Sequence, residues 1–345
     1  MLLHMAAELA HEEGQESRVS IVLPLYNSAG ELPSVLSELD KQTYPNRELI
    51  MVDDGSSDGT WEVANRLSSG RSDVTVIRTL HLGASHARNA GASKAGGEII
   101  FFAESDCVYD EHFVQKAVES LDLHSNAGAV CLTGAPLITR ATLATRCIDV
   151  ENKVQHKLLN EGKIKPFYAW VYKKEAFSRL GGFDERLFQG EDKDLFSRLK
   201  GAGYSVAWVP GVNWRHRRDQ TTFQMVHKWM TRGRSRILYS LKHRQASEIG
   251  KTLLPFWATV VGLLLLIWSP LVGAILLLAV VVAFAVQSAR IAAISWSEVD
   301  RKSVFMGYPA FVVARNFSMA IGYSVALVKV VERKIQGREL NWSNV

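Results

Sequence analysis

Between Thr252 and Ala289 the chain runs for 38 residues without a single Asp, Glu, Lys, Arg or His. As one helix this stretch is about 57 Å long at 1.5 Å per residue, almost twice a ~30 Å hydrocarbon core. Ser269-Pro270 lies near its middle, where a proline ends one helix and suits the first turn of the next. The spacing predicts a helical hairpin, roughly Thr252–Trp268 and Leu271–Ser288, that crosses a membrane and returns. The first 215 or so residues have mixed charge and regular turn signals, so two chemically different parts are joined end to end.

The flanks fix an orientation. From Arg215 to Arg244 there are nine Lys and Arg and only Asp219 as acid, a net charge of +8. A basic run suits nucleic acid or anionic lipid. No nucleic-acid recognition module accompanies it and it directly precedes the apolar stretch, so the membrane reading is adopted. Near anionic lipid each such charge contributes about 1 kcal/mol and favours the cytosolic side. Val304–Val328 is apolar again but interrupted by Arg315-Asn316, and Lys329, Arg333, Lys334 and Arg338 follow. A third crossing would carry those cations outward, so an interfacial helix is expected there, with a third membrane span as the alternative. Met1–Glu16 contains Glu8, Glu12, Glu13 and Glu16 and does not read as a signal peptide. The expected location is a multi-pass cell-membrane protein with its first domain cytosolic. Cys107, Cys131 and Cys147 have neither zinc-ligand spacing nor an even disulfide count, and read as small buried side chains in a reducing compartment.

The first half alternates strand and helix. Val19–Tyr26, Glu48–Asp54, Val74–Ile77 and Glu98–Ala103 read as strands, with helical patterns at Glu31–Leu39, from Asp58, and at Ser85–Ala95. Four such alternations predict an α/β fold with a mostly parallel sheet and helices on both faces, whose ligands sit at the carboxyl ends of the strands. Those ends are Tyr26-Asn27, Asp53-Asp54 and Glu104-Ser105-Asp106.

Acids dominate these positions. A carboxylate in Asp53–Thr60 can accept from the N3–H of a pyrimidine while Gly55 turns the backbone; Asp58 and Thr60 suit capping of the next helix. Glu104 and Asp106 can hold a hard divalent cation with oxygen ligands left for a diphosphate. Glu191-Asp192-Lys193-Asp194 opens a helix, where the dipole favours negative charge, and an ionised acid there can act as general base on a hydroxyl. Helix capping accounts for one acid at that position, not for three.

Four segments carry a resemblance. Ile21-Val-Leu-Pro-Leu-Tyr-Asn, Val52-Asp-Asp-Gly-Ser-Ser-Asp-Gly-Thr, Gly83-Ala-Ser-His-Ala-Arg-Asn-Ala-Gly, and Gly181-Gly-Phe-Asp-Glu with Gly190-Glu-Asp-Lys-Asp-Leu occur in that order. Residues from about Arg18 to Gly233 resemble the family 2 glycosyltransferases, which have the GT-A fold. The resemblance implies that Pro24, Tyr26 and Asp53 bind the base, that Arg88 and Asn89 lie on the nucleotide side, and that Glu104 faces ribose or metal. It implies Asp106 as ligand to Mg2+ or Mn2+, with His216 as a further metal contact, although a histidine packed among arginines fits that position equally. Asp192 is the implied catalytic base and Glu191 its neighbour near the acceptor. Trp229 and Arg232 resemble the Trp and Arg-Gly segment of single-addition enzymes, on the acceptor side. Gln224-Met-Val-His-Lys-Trp229 departs from the motif of processive synthases by one extra residue and by Lys for Arg.

The implied activity is inverting transfer of a sugar, from a UDP-sugar by family habit, to a hydroxyl of a lipid-linked or membrane-associated glycan. A polyprenyl-phosphate sugar synthase shares the first three segments, and an inactive nucleotide-binding scaffold is the reading from another class. A dinucleotide oxidoreductase is excluded because the first strand ends in Pro24-Leu-Tyr-Asn and not in a glycine-rich turn. The expected domains are a tail (1–17), a catalytic domain (18–218), a basic juxtamembrane segment (219–251), a membrane hairpin (252–289), and an interfacial helix with basic tail (290–345). Partners are the nucleotide sugar, the glycan acceptor and lipid, with no nucleic acid; the sequence does not specify an oligomeric state.

Overall fold

The computed structural model describes residues 16–137, 142–161, 163, 169–187, 190–217, 222–243, 246–295 and 301–337. The chain divides into two compact units. The first comprises residues 1–137, 162–185 and 191–217, and the second residues 138–161, 186–190 and 218–345.

In the first unit the strands are β1 (Val19–Leu25), β2 (Arg47–Asp53), β3 (Val74–Arg78), β4 (Ile99–Phe102), β5 (Cys107–Tyr109), β6 (Ala127–Leu137), β7 (Val171–Lys173) and β8 (Ser205–Arg217). Helices α1 (Leu32–Asp40), α2 (Thr60–Ser68), α3 (Ala84–Lys94) and α4 (Phe113–Leu123) alternate with the first strands. The strands form one mixed sheet in the order β3-β2-β1-β4-β7-β6-β8-β5. The four expected strands pair only in parallel with one another: β1 with β2 and β4, and β2 with β3. β1 and β4 are near-continuous apolar runs because both faces of the sheet are covered. Ile21, Leu23 and Phe101 enter one core, Val22, Ile100 and Phe102 the other. Pro24 is tolerated in this central strand because the β1–β4 pairing ends at Val22.

The strands that the sequence does not announce make up the other half of the sheet. β7 is antiparallel to β4 and β6, β6 is parallel to β8, and β5 is antiparallel to β8. The β5–β8 pairing sets Cys107 opposite His216 across 109 positions of sequence.

The second unit is helical: α5 (Leu143–Asn160), α8 (Thr222–Lys242), α9 (Ala246–Trp268), α10 (Pro270–Ser295) and α11 (Arg301–Ile335); α6 (Lys174–Arg179) and α7 (Glu191–Gly201) belong to the first. The break between α9 and α10 falls at Ser269-Pro270, as expected for a hairpin, and the arms pack together, a Cβ on Gly262 coming within 2.9 Å of Leu277. Among the described residues two stretches are long and apolar enough to cross a membrane, Pro270–Ile291 and Tyr308–Ile335, while Leu253–Trp268 is shorter. The second of these covers most of the stretch read as an interfacial helix or a third span. By length and composition it qualifies as a span, and its interrupting Arg315 is paired with Glu151 of α5, which also accepts from the Tyr308 hydroxyl at 2.8 Å. Helices α8 and α11 cross backbone against backbone, since a Cβ on Gly233 would collide with the Met319 carbonyl and one on Gly322 with that of Met230.

Candidate active site

The carboxyl end of β2 is closed by its own acids. Asp53 is fully buried; Oδ1 accepts the Ser56 N–H at 3.2 Å and Oδ2 faces Arg78 Nε at 3.0 Å. Asp54, also buried, accepts from Leu82 N, Gly83 N and the Thr79 hydroxyl at 2.7–2.9 Å, so it clamps the segment that leads into α3. Gly55 has φ +70°, and a Cβ there would come within 2.9 Å of His81 N, so glycine is required at that turn. Around it lies an open cleft of about 590 Å³ lined by Gly55, Arg78, Thr79, Leu80 and His81. Half-exposed Tyr26 stacks on His81 with ring centroids 4.1 Å apart. Tyr26 and Asp53 thus each touch a residue that lines this cleft, His81 and Arg78 respectively. The group presented to it beside them is Arg78, 45% exposed, which sequence reasoning missed although a cation at the end of β3 was visible.

The end of β4 meets α3 and α7. Arg88 is buried, with one guanidinium nitrogen 2.8 Å from Glu191 Oε1 and another 3.2 Å from Glu104 Oε1, its head 5.6 Å from the Phe183 ring centroid. It was expected to face base or phosphate; the structure instead places it between two carboxylates. Asn89, also expected on the nucleotide side, has its amide committed to the turn before α7. It bonds the Phe183 N–H and carbonyl and Glu185, each at 2.9 Å. Gly182, φ +69°, is needed there because a Cβ would stand 2.6 Å from Asn89 Oδ1. Burial raises the Glu104 carboxyl to about 7 against the opposing pull of Arg88, and burial likewise raises that of Glu191.

Asp106, His216, Cys107 and Glu104 converge. Asp106 Oδ2 is 3.2 Å from His216 Nε2, and one ligand atom from each of the four residues lies within 4.8 Å of all the others. Two carboxylates and an imidazole so arranged fit a divalent cation, with Asp106, half exposed, able to share it with a diphosphate.

Of the three acids opening α7, two are held. Glu191 pairs with Arg88, and fully buried Asp194 pairs with Arg198 at 2.7 Å. Arg198 also donates to the Leu180 and Gly182 carbonyls, locking the glycine turn onto α7. Asp192 is partly exposed, accepts the N–H of its neighbour Lys193 at 2.7 Å, and lies close enough to Arg88 to act on its charge. In the second unit Trp229, expected on the acceptor side, is buried edge-to-face against Phe311 at 5.1 Å, which is a packing role, while Arg232 is exposed.

Residues 20–181 match the family model described as glycosyl transferase family 2. This segment is a family 2 glycosyltransferase domain. Over 200 residues the chain is 26% identical to Glycosyltransferase AglE of Haloferax volcanii, covering 56% of this chain and 65% of that protein. Over 226 residues it is 24% identical to the O-antigen chain rhamnosyltransferase WbaN of Salmonella anatum, covering 62% and 70%. Against three of its curated relatives the chain spans only 50 to 65% of their length. The fold matches the mannosyltransferase PcManGT from Pyrobaculum calidifontis, solved with GDP-Man and Mn2+. The TM-score is 0.57 at 17% identity, over 98% of this chain and 95% of that one. That likeness establishes the GT-A fold of the glycosyltransferase domain.

Proposed function

We propose that the chain transfers a sugar from a nucleoside-diphosphate sugar, a UDP-sugar in the first instance, to a hydroxyl of a lipid-linked or membrane-associated glycan, with inversion at the anomeric carbon. The observation that carries this reading is the partner pattern at α7: Glu191 and Asp194 are each tied to an arginine, whereas partly exposed Asp192 accepts the N–H of its neighbour Lys193 and acts on the charge of Arg88. Asp192 takes the proton of the acceptor hydroxyl, which attacks the anomeric carbon from the side opposite the diphosphate. Asp106, His216 and Glu104 would hold Mg2+ or Mn2+, which when bound neutralises charge on the departing diphosphate. Arg88 keeps Glu191 and Glu104 apart from that proton transfer by pairing with both. Tyr26 and His81 offer a stacking face to the base, and Arg78 and Asp53 offer it polar groups.

The relatives support the chemistry. One is named an O-antigen chain rhamnosyltransferase, and PcManGT was solved with a nucleotide sugar and Mn2+. The apolar hairpin and α11 support a multi-pass membrane location with the catalytic domain on the cytosolic side, beside the net +8 segment. The division into tail, catalytic domain, basic segment, hairpin and C-terminal helix is proposed on the same grounds. The experiment is a panel of UDP-, GDP- and dTDP-sugars with Mn2+, read as hydrolysis of the donor in the absence of acceptor. Turnover with one of them that disappears in Asp192→Asn supports the reading. Turnover with none rules it out in favour of an inactive scaffold, and a product on a bare lipid monophosphate identifies a polyprenyl-phosphate sugar synthase.

A further inference from the structure

The cation cluster at β5 contains one group that a magnesium or manganese site does not need. We infer that the Cys107 thiol is a fourth ligand in the Glu104–Asp106–His216 cluster, and that it admits a thiophilic divalent cation of the zinc or cobalt class. The inference rests on reading that cluster as a cation site.

Three observations place the sulfur there. In the antiparallel β5–β8 pair Cys107 stands directly opposite His216, and opposite residues of such a pair project to the same face with Cβ atoms about 5 Å apart. Cys107 Sγ lies 3.6 Å from Glu104 Oε2 and 3.8 Å from Asp106 Oδ1, so the thiol is turned toward both carboxylates. The residue is only 2% exposed, so an ion would reach its sulfur from the cluster side. Cys131 and Cys147 are buried as well, but among the described residues they belong to no group of metal-ligating side chains.

The chemistry separates two classes of cation. Carboxylate oxygen alone suits Mg2+ and Mn2+, whereas thiolate and imidazole favour Co2+ and Zn2+, which stand later in the affinity order of divalent metals. On binding such a cation the S–H bond breaks, an S–metal bond forms and the proton passes to solvent. The site then holds Zn2+ or Co2+ in place of Mn2+.

The test uses the full chain in detergent, titrated with Co2+ and followed by the thiolate-to-cobalt charge-transfer absorption in the near ultraviolet. Displacement of Mn2+ is followed in parallel by electron paramagnetic resonance. The wild type is expected to give a saturable absorption band as Mn2+ is released. Cys107→Ser is expected to lose the band and to bind Zn2+ roughly tenfold or more weakly while still binding Mn2+. Cys131→Ser and Cys147→Ser should retain the band. Release of Mn2+ by Co2+ with no band, or a band that survives Cys107→Ser, overturns the inference and leaves the cation site standing. Failure of both Mn2+ and Co2+ to bind overturns the cation site itself, and the inference with it.

Discussion

The acids at the end of β2 and those at the start of α7 look alike in sequence and are handled differently by the fold. Asp53 and Asp54 are buried and both engaged, one by Ser56 and Arg78, the other by the backbone leading into α3. At α7 the engaged acids bracket one whose recorded bond is to its own neighbour. The first pair holds the residues that line a cleft, and the second group leaves one carboxylate without an arginine partner, the one proposed as the base.

The strongest way to break this comparison is at Asp192. Asp192→Asn should lower kcat by about 10²- to 10⁴-fold, with the unfolding midpoint little changed, because no buried pair is disrupted. Loss of stability in step with activity would return Asp192 to the structural class. Asp194→Ala should do the reverse. It leaves Arg198 without its carboxylate partner and should cost roughly 3 kcal/mol in urea unfolding, with kcat falling only as far as the turn at Gly181-Gly182 loosens. In the second unit, Gly322→Val forces α8 and α11 apart and should cost about 1–3 kcal/mol, seen as a lower thermal midpoint. A midpoint equal to wild type would mean the two helices do not touch at these glycines.

The smallest effect concerns pH. Burial holds the Glu104 carboxyl near 7, above its ordinary 4.5, so between those values the folded chain binds more protons than the unfolded chain. Stability from this group is therefore present below about 4.5 and is lost as pH rises toward 7. With the side chain a fifth exposed, the loss should be on the order of 1–2 kcal/mol. Glu104→Gln should flatten that slope in metal-free buffer; an unchanged slope assigns it to another group.

Legibility followed sequence distance. β1 to β4 were readable because each is a short apolar run between turn signals. β8 was not, because Pro210, Gly211, Arg215 and Arg217 break its pattern and three of its residues pair with a three-residue strand. The acids were all found, since motifs expose residue types. Their partners were not, because Arg88 and Glu191 are 103 residues apart and the sequence carries no sign that they meet. Arg88 was therefore expected beside the nucleotide, and Cys107 was passed over as a filler.

The meeting of α8 with α11 has a bearing on biosynthesis. Gly233 meets the backbone of Met319, and Glu151 pairs with Arg315. While the polypeptide is still emerging from the ribosome, Gly233 must wait through 86 further codons and Glu151 through 164. Completion of the helical unit is thus a late event of translation, and a stall before residue 315 would strand a half-buried carboxylate and a bare helix face.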